Sequence, residues 1–240
     1  MDEQKTHHKM VVGSFIKNKL QEYEYFLQKV ADICTLTHKN FLSGVCPANS
    51  GQEDVNFIFN ALVNTFQSLK DSLATATGEP LVWSRFADVR HFHFFKECRN
   101  AVTHDGMQII DGWADGRYFV ASDVERFDNR GRLISIEAPK DDVLTLCLEF
   151  STDFMVEIDK IAVELGQNIP TQSHVDKMNY IESCMSNSFV PDFARDLFKQ
   201  SRDDIAQQLK AHKHHFDPVG DIQAQAGRIS SLCESYLAER

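Results

Sequence analysis

The chain has 240 residues, 42% of them hydrophobic, with 25 Lys+Arg against 35 Asp+Glu for a formal charge of −10. That length and apolar content suit one large domain with a sizeable core. The acidic balance disfavours tight, indiscriminate nucleic-acid binding, so any RNA site would have to be a local basic patch. The six cysteines, at positions 34, 46, 98, 147, 184 and 233, include no C-x-x-C pair; this excludes zinc-ribbon and thioredoxin-type readings and suits reduced thiols. The polar start Met1-Asp2-Glu3-Gln4 and the lack of a long apolar run predict a cytoplasmic protein with no membrane partner.

Residues 1–10 are expected to be a flexible N-terminus. Ile16, Leu20, Tyr23, Leu27, Val30 and Cys34 recur at spacings of three and four, the mark of one buried helical stripe. A loop follows at Gly44, Pro47, Asn49, Ser50 and Gly51, and a second stripe runs from Val55 to Leu73 before Gly78 and Pro80. A third helix is predicted from about Ser84 to His104, with Phe86, Val89, Phe92, Phe95, Cys98 and Val102 inward and Gly106 as its stop.

The pattern then changes. The stretch from Tyr118-Phe119-Val120 through Val124-Glu125-Arg126-Phe127 is β-prone, Asp128-Asn129-Arg130-Gly131 is a turn signal, and Leu133–Ile136 is β-prone again, giving a hairpin at about 117–137. A long helix follows Pro139, carrying Val143, Cys147, Phe150, Phe154, Ile158, Ile161 and Leu165 on one face. Three shorter amphipathic segments, about 173–187, 191–210 and 222–239, complete the chain. The predicted fold is all-α: a four-helix bundle over 11–168 with an inserted hairpin, then a helical C-terminal extension over 169–240.

The residues with the most chemistry are Arg99, Asn100 and His104, at the expected end of the third helix. Arginine offers a permanent planar charge for phosphate, and histidine exchanges protons near neutral pH. An arginine followed five to seven positions later by a histidine arises about once by chance in such a chain. Arg85…His91 is such a decoy, but its next residue is Phe86; requiring a polar neighbour leaves only Arg99-Asn100…His104. On an ideal helix Asn100 and His104 share a face, whereas Arg99 and His104 diverge by about 140°. A loosened last turn ahead of Gly106 would relax that.

The motif and its place in a helical bundle resemble the HEPN superfamily, whose ribonuclease members carry R-x(4–6)-H with a polar residue after the arginine. The resemblance covers about Val11 to Gly166 and is nearest to stand-alone, mobile-element-associated members. It implies metal-independent endoribonuclease activity with no cofactor, giving 2′,3′-cyclic phosphate and 5′-OH ends, in a toxin or defence effector. His104 would be the general acid/base, Arg99 the phosphate anchor, and Asn100 a positioning group for His104 or the phosphate. It also implies a homodimer with a composite site, for which Phe94 is the expected contact near the axis, and an antitoxin protein as a further partner.

Arg85, Arg90, Lys96 and Arg99 outnumber Asp88 and Glu97 in this stretch, so Arg90 and Lys96 are expected to bind substrate phosphates. Two alternatives stand beside this reading. One is a polar helix C-terminus, where Arg and His suit the dipole. The other is a non-catalytic module binding RNA, nucleotide or a protein partner. Cys98 is read as a buried small hydrophobe rather than an activated thiol. His91 and His93 point different ways on a helix, and the run His212-Lys213-His214-His215 is expected to be solvated; no metal site is predicted. There is no Walker loop, G-x-G-x-x-G, H-E-x-x-H or G-x-S-x-G, which disfavours those enzyme classes.

Overall fold

The first apolar stripe is longer than its strongest positions suggest. In the computed structural model, which describes residues 2–45, 51–171, 173–211 and 217–238, α1 runs unbroken over Asp2–Leu42. Residues 2–10, expected to be flexible, are therefore helical. Met10 is 6% exposed and Gly13 lies so close to Ile169 that a Cβ there would meet its side chain at 2.6 Å. Cys46, Pro47, Asn49, Ser50 and the run His212 to His215 lie outside the described residues.

α2 spans Gln52–Thr77 and ends at Gly78, whose left-handed φ of 76° closes the helix through a bond to the Ala74 carbonyl. Its stripe Val55, Phe59, Leu62, Phe66, Leu69 and Leu73 is buried against α1. α4 spans Val143–Leu165, capped by Asp142, whose carboxylate accepts from the backbone N–H of Leu144 and Thr145. Phe150 and Phe154 of α4 stack, and Phe150 lies 4.1 Å from Phe95, centroid to centroid. These rings, with Phe66 and Phe86, form an aromatic core.

The third helix differs from expectation. A 3₁₀ turn at Trp83–Phe86 is followed by a bend, and α3 itself covers only Phe92–Asn100. The break has a tertiary cause. Arg90 donates through its backbone N–H and Nε to Asp153 on α4, and His91 Nε2 meets Glu149 at 2.8 Å. Holding both partners puts His91 in the left-handed region, φ 58°, where an α-helix cannot continue.

Two antiparallel hairpins stand where one was expected. β1 (Gly112–Ala114) pairs with β2 (Arg117–Phe119), and β3 (Val124–Phe127) with β4 (Leu133–Ile136). The second matches the predicted strands and their turn. The first is closed by Asp115 and Gly116, both at positive φ, the conformation a two-residue hairpin needs.

The helices after Pro170 do not form one extension. α5 (His174–Met185) and α6 (Asp192–Ala211) make a hairpin tied by Arg202 to Glu182 at 2.7 Å. No described residue of α6 is buried. α7 (Pro218–Ala238) instead packs along α4 and α1, burying Ile222, Ala226, Ile229 and Cys233. The long helices sharing the core are thus α1, α2, α4 and α7, and the short α3 closes one side. The described chain is predominantly α-helical, and none of its helices is long and apolar enough to cross a membrane.

Candidate active site

α3 does not end as an α-helix. Its last turn widens into a π turn over Ala101–Asp105, in which the Ala101 carbonyl accepts from the N–H of Gly106 and of Met107. Gly106, at φ 65°, then reverses the chain. A π turn stacks residues five apart rather than four. This removes the divergence that an ideal helix would impose between Arg99 and His104. Arg99 Nη1 lies 3.4 Å from His104 Nε2. Because arginine can only donate, the contact is a hydrogen bond when Nε2 carries the lone pair.

The same Arg99 Nη1 donates to Asn100 Oδ1 at 3.2 Å, and Asn100 Nδ2 donates to Glu97 Oε2 at 3.1 Å. Asn100 therefore holds Arg99; among the described residues its side-chain hydrogen bonds run to Arg99 and Glu97 rather than to His104. Glu97 is 3% exposed and is met by Lys96 Nζ at 2.8 Å and by Arg126 Nη1 at 3.5 Å. Arg126 comes from β3, is itself 8% exposed, and reaches the π turn through Asp105 at 3.0 Å. Thr103, on the same turn, donates to Asn64 of α2 at 2.7 Å. The turn is thus pinned from β3 and from α2.

Arg99 has no carboxylate within 4 Å among the described residues, and its buried Nε lacks a hydrogen-bond partner. Burial lowers its pKa and the charge of Asp71 opposes that; the guanidinium stays protonated regardless. A half-buried cation with an unspent donor, beside an exposed histidine, is a place for an anion.

The other basic residues of the stretch are placed differently. Arg85 pairs with Glu157 and Glu164, Arg90 with Asp153 and Glu149, and Lys96 with Glu97. Of the two residues expected at the substrate, Arg90 is held by α4 carboxylates, and Lys96 is paired with Glu97, the carboxylate that also accepts from Asn100 beside Arg99. Phe94, expected near a dimer axis, is 6% exposed and packs in this chain's own core against Phe95. Cys98 is fully buried, and burial followed by the Glu97 charge pushes its thiol well above the usual range. His91 is engaged by Glu149, while His93 is exposed. The residues that sequence reasoning missed are Glu97 and Arg126. A glutamate and an arginine 29 positions apart carry no local signal of being buried together.

Burial raises the Glu97 carboxyl, but the hydrogen bonds from Lys96 and Asn100 and the charges of Lys96 and Arg126 outweigh it, leaving the pKa below the ordinary 4.5. A depressed carboxyl contributes stability that is present above its unfolded-state value and is lost as pH falls through the folded-state value. Unfolding free energy from urea titrations should therefore fall below pH 4.5, and Glu97→Gln should show a shallower fall in that window. Parallel curves for the two proteins would contradict the network.

A scan against family models and searches of curated proteins and of solved structures each gave no match to this chain. What fold and site define together is an all-α bundle carrying, beside a solvent-exposed histidine on a π turn, an arginine with no carboxylate in contact among the described residues.

Proposed function

We propose that this chain is a HEPN-type, metal-independent endoribonuclease, acting as a toxin or defence effector. The observation that carries the reading is the π turn, which brings Arg99 within 3.4 Å of His104 while leaving the arginine without a carboxylate partner among the described residues. The RNA 2′-OH gives its proton to a base and attacks the adjacent phosphorus. The 5′-oxygen leaves with a proton from an acid, and the products are a 2′,3′-cyclic phosphate and a 5′-OH. Arg99 binds the phosphate and its growing charge, His104 moves a proton, and Asn100 with Glu97 and Arg126 fixes the arginine.

One His104 cannot stand on both sides of one phosphate, so a two-fold dimer supplies the second histidine through an isologous contact. Phe94 is buried and does not serve that contact. Phe57, 60% exposed, lies seven positions before Asn64 on the same face of α2 and is the better candidate. An antitoxin would act by covering the exposed rim around His104. RNA incubated with the purified chain in EDTA should be cut, and adding His104→Ala subunits to wild type should lower activity more than dilution does. A strict monomer that still cuts would remove the composite site.

The capture of Arg85, Arg90 and Lys96 by carboxylates favours a second reading, in which Arg99 anchors a ligand or protein partner without chemistry. Retention of RNA with intact ends after prolonged incubation would select it.

A further inference from the structure

Away from the π turn, the C-terminal end of α1, β2, the start of α4 and the end of α7 enclose a cavity of about 320 Å³. That is at the small end of ligand-binding pockets. Leu42, Leu144 and the ring of Tyr118 supply apolar wall, and His38, Lys39, Arg117 and Asp142 supply the polar groups.

The cations are underused. The Lys39 ammonium has no hydrogen bond or ion pair among the described residues, and Arg117 has a single ion-pair contact, Nη1 to Asp142 Oδ2 at 3.8 Å, beyond hydrogen-bonding distance. Asp142 cannot absorb them. Its Oδ1 caps α4 through Leu144 and Thr145, and its Oδ2 accepts from the Thr145 hydroxyl. His38 Nδ1 lies 3.1 Å from the Asp115 carbonyl, which can only accept, so Nδ1 carries a proton and Nε2 is the free nitrogen. Proximity to the α1 C-terminus accounts for a lysine in the last turn. It does not account for an arginine brought by a hairpin. Gly116 is what lets that hairpin approach, since a Cβ there would meet the Phe41 side chain at 2.5 Å and the His38 backbone at 3.0 Å.

We propose that this cavity binds a phosphate monoester carried on a small, flat body, of the size of a nucleoside monophosphate. Eight N–H donors on Lys39 and Arg117 call for several acceptor oxygens, and a phosphate's charge of about −1.5 to −2 pairs with these two cations while the Asp142 carboxylate is turned to the α4 N-terminus and the Thr145 hydroxyl. The apolar wall holds the remainder of the ligand. This inference stands apart from the nuclease reading, because it uses none of the residues of the π turn.

The test is calorimetric titration of the full chain with the four 5′-nucleoside monophosphates, the corresponding nucleosides and inorganic phosphate. At least one nucleotide should bind at one site per chain, with its nucleoside and inorganic phosphate each weaker by about tenfold or more. Lys39→Gln and Lys39→Gln/Arg117→Gln should weaken it progressively, the double by about tenfold or more, with unchanged circular dichroism. Arg99→Ala should bind as wild type does, which separates this cavity from the candidate active site whether or not the chain cuts RNA. No binding by any of the four, equal binding of nucleoside or of phosphate alone, or binding lost in Arg99→Ala but kept in the double variant would each overturn the proposal.

Discussion

His104→Ala is expected to lower the rate of RNA cleavage by about 10²–10⁴-fold, the range a positioned acid or base supplies. Arg99→Ala should cost about 10²–10³-fold, as loss of one preorganised charge-stabilising group does. The two side chains meet at 3.4 Å and, in the mechanism proposed, act on one phosphate. The double variant should therefore be little worse than the poorer single one, because groups that act as a unit are not additive. Single-turnover rates on a defined RNA give all three numbers. His104 is exposed, so its removal should leave the thermal midpoint unchanged; a large drop would mean that lost folding, not lost chemistry, explains the rate.

The second large effect is on stability. Phe150 is 1% exposed and sits between Phe95, at 4.1 Å, and Phe154, at 5.4 Å, with Phe66 edge-on. Phe150→Ala should cost about 3–5 kcal/mol, since the surrounding rings cannot collapse fully into the space. For a chain of this length that lowers the midpoint by roughly 6 °C or more. Val156→Ala, on the exposed side of the same helix at 49% exposure, should change stability by less than about 0.5 kcal/mol. Equal losses for the two would place the core elsewhere.

The parts of the fold that sequence patterns carried are those set by local chemistry. Gly78 ends α2, Asp128–Gly131 turns the second hairpin, and the stripe from Val143 to Leu165 fills α4 as expected. The first hairpin was not expected, although Asp115-Gly116 is a strong two-residue turn signal. The three-residue strands around it were too short to show a period of their own.

What could not be read is tertiary. Nothing near residue 90 indicates that Glu149 and Asp153 will hold Arg90 and His91 and break the third helix. Ile222, Ala226, Ile229 and Cys233 announce a buried face on α7 but not that α1 and α4 are what it meets.

The site divides the same way. Arg99, Asn100 and His104 stand out as residue types at a spacing. The π turn that brings two of them together depends on ties to Arg126 and Asn64 from distant segments, and an α-helical projection places them apart. Arg90 and Lys96 looked available because residue type does not reveal a carboxylate partner across the fold.

The most direct test of the central claim is the chemistry of the cut ends. Wild type and His104→Ala, both treated with EDTA, are incubated with one short RNA and the fragments weighed by mass spectrometry. Fragments ending in 2′,3′-cyclic phosphate and 5′-OH are expected from the wild type, and uncut RNA from the variant. Equal cleavage by both proteins, or 5′-phosphate ends from either, would contradict that claim.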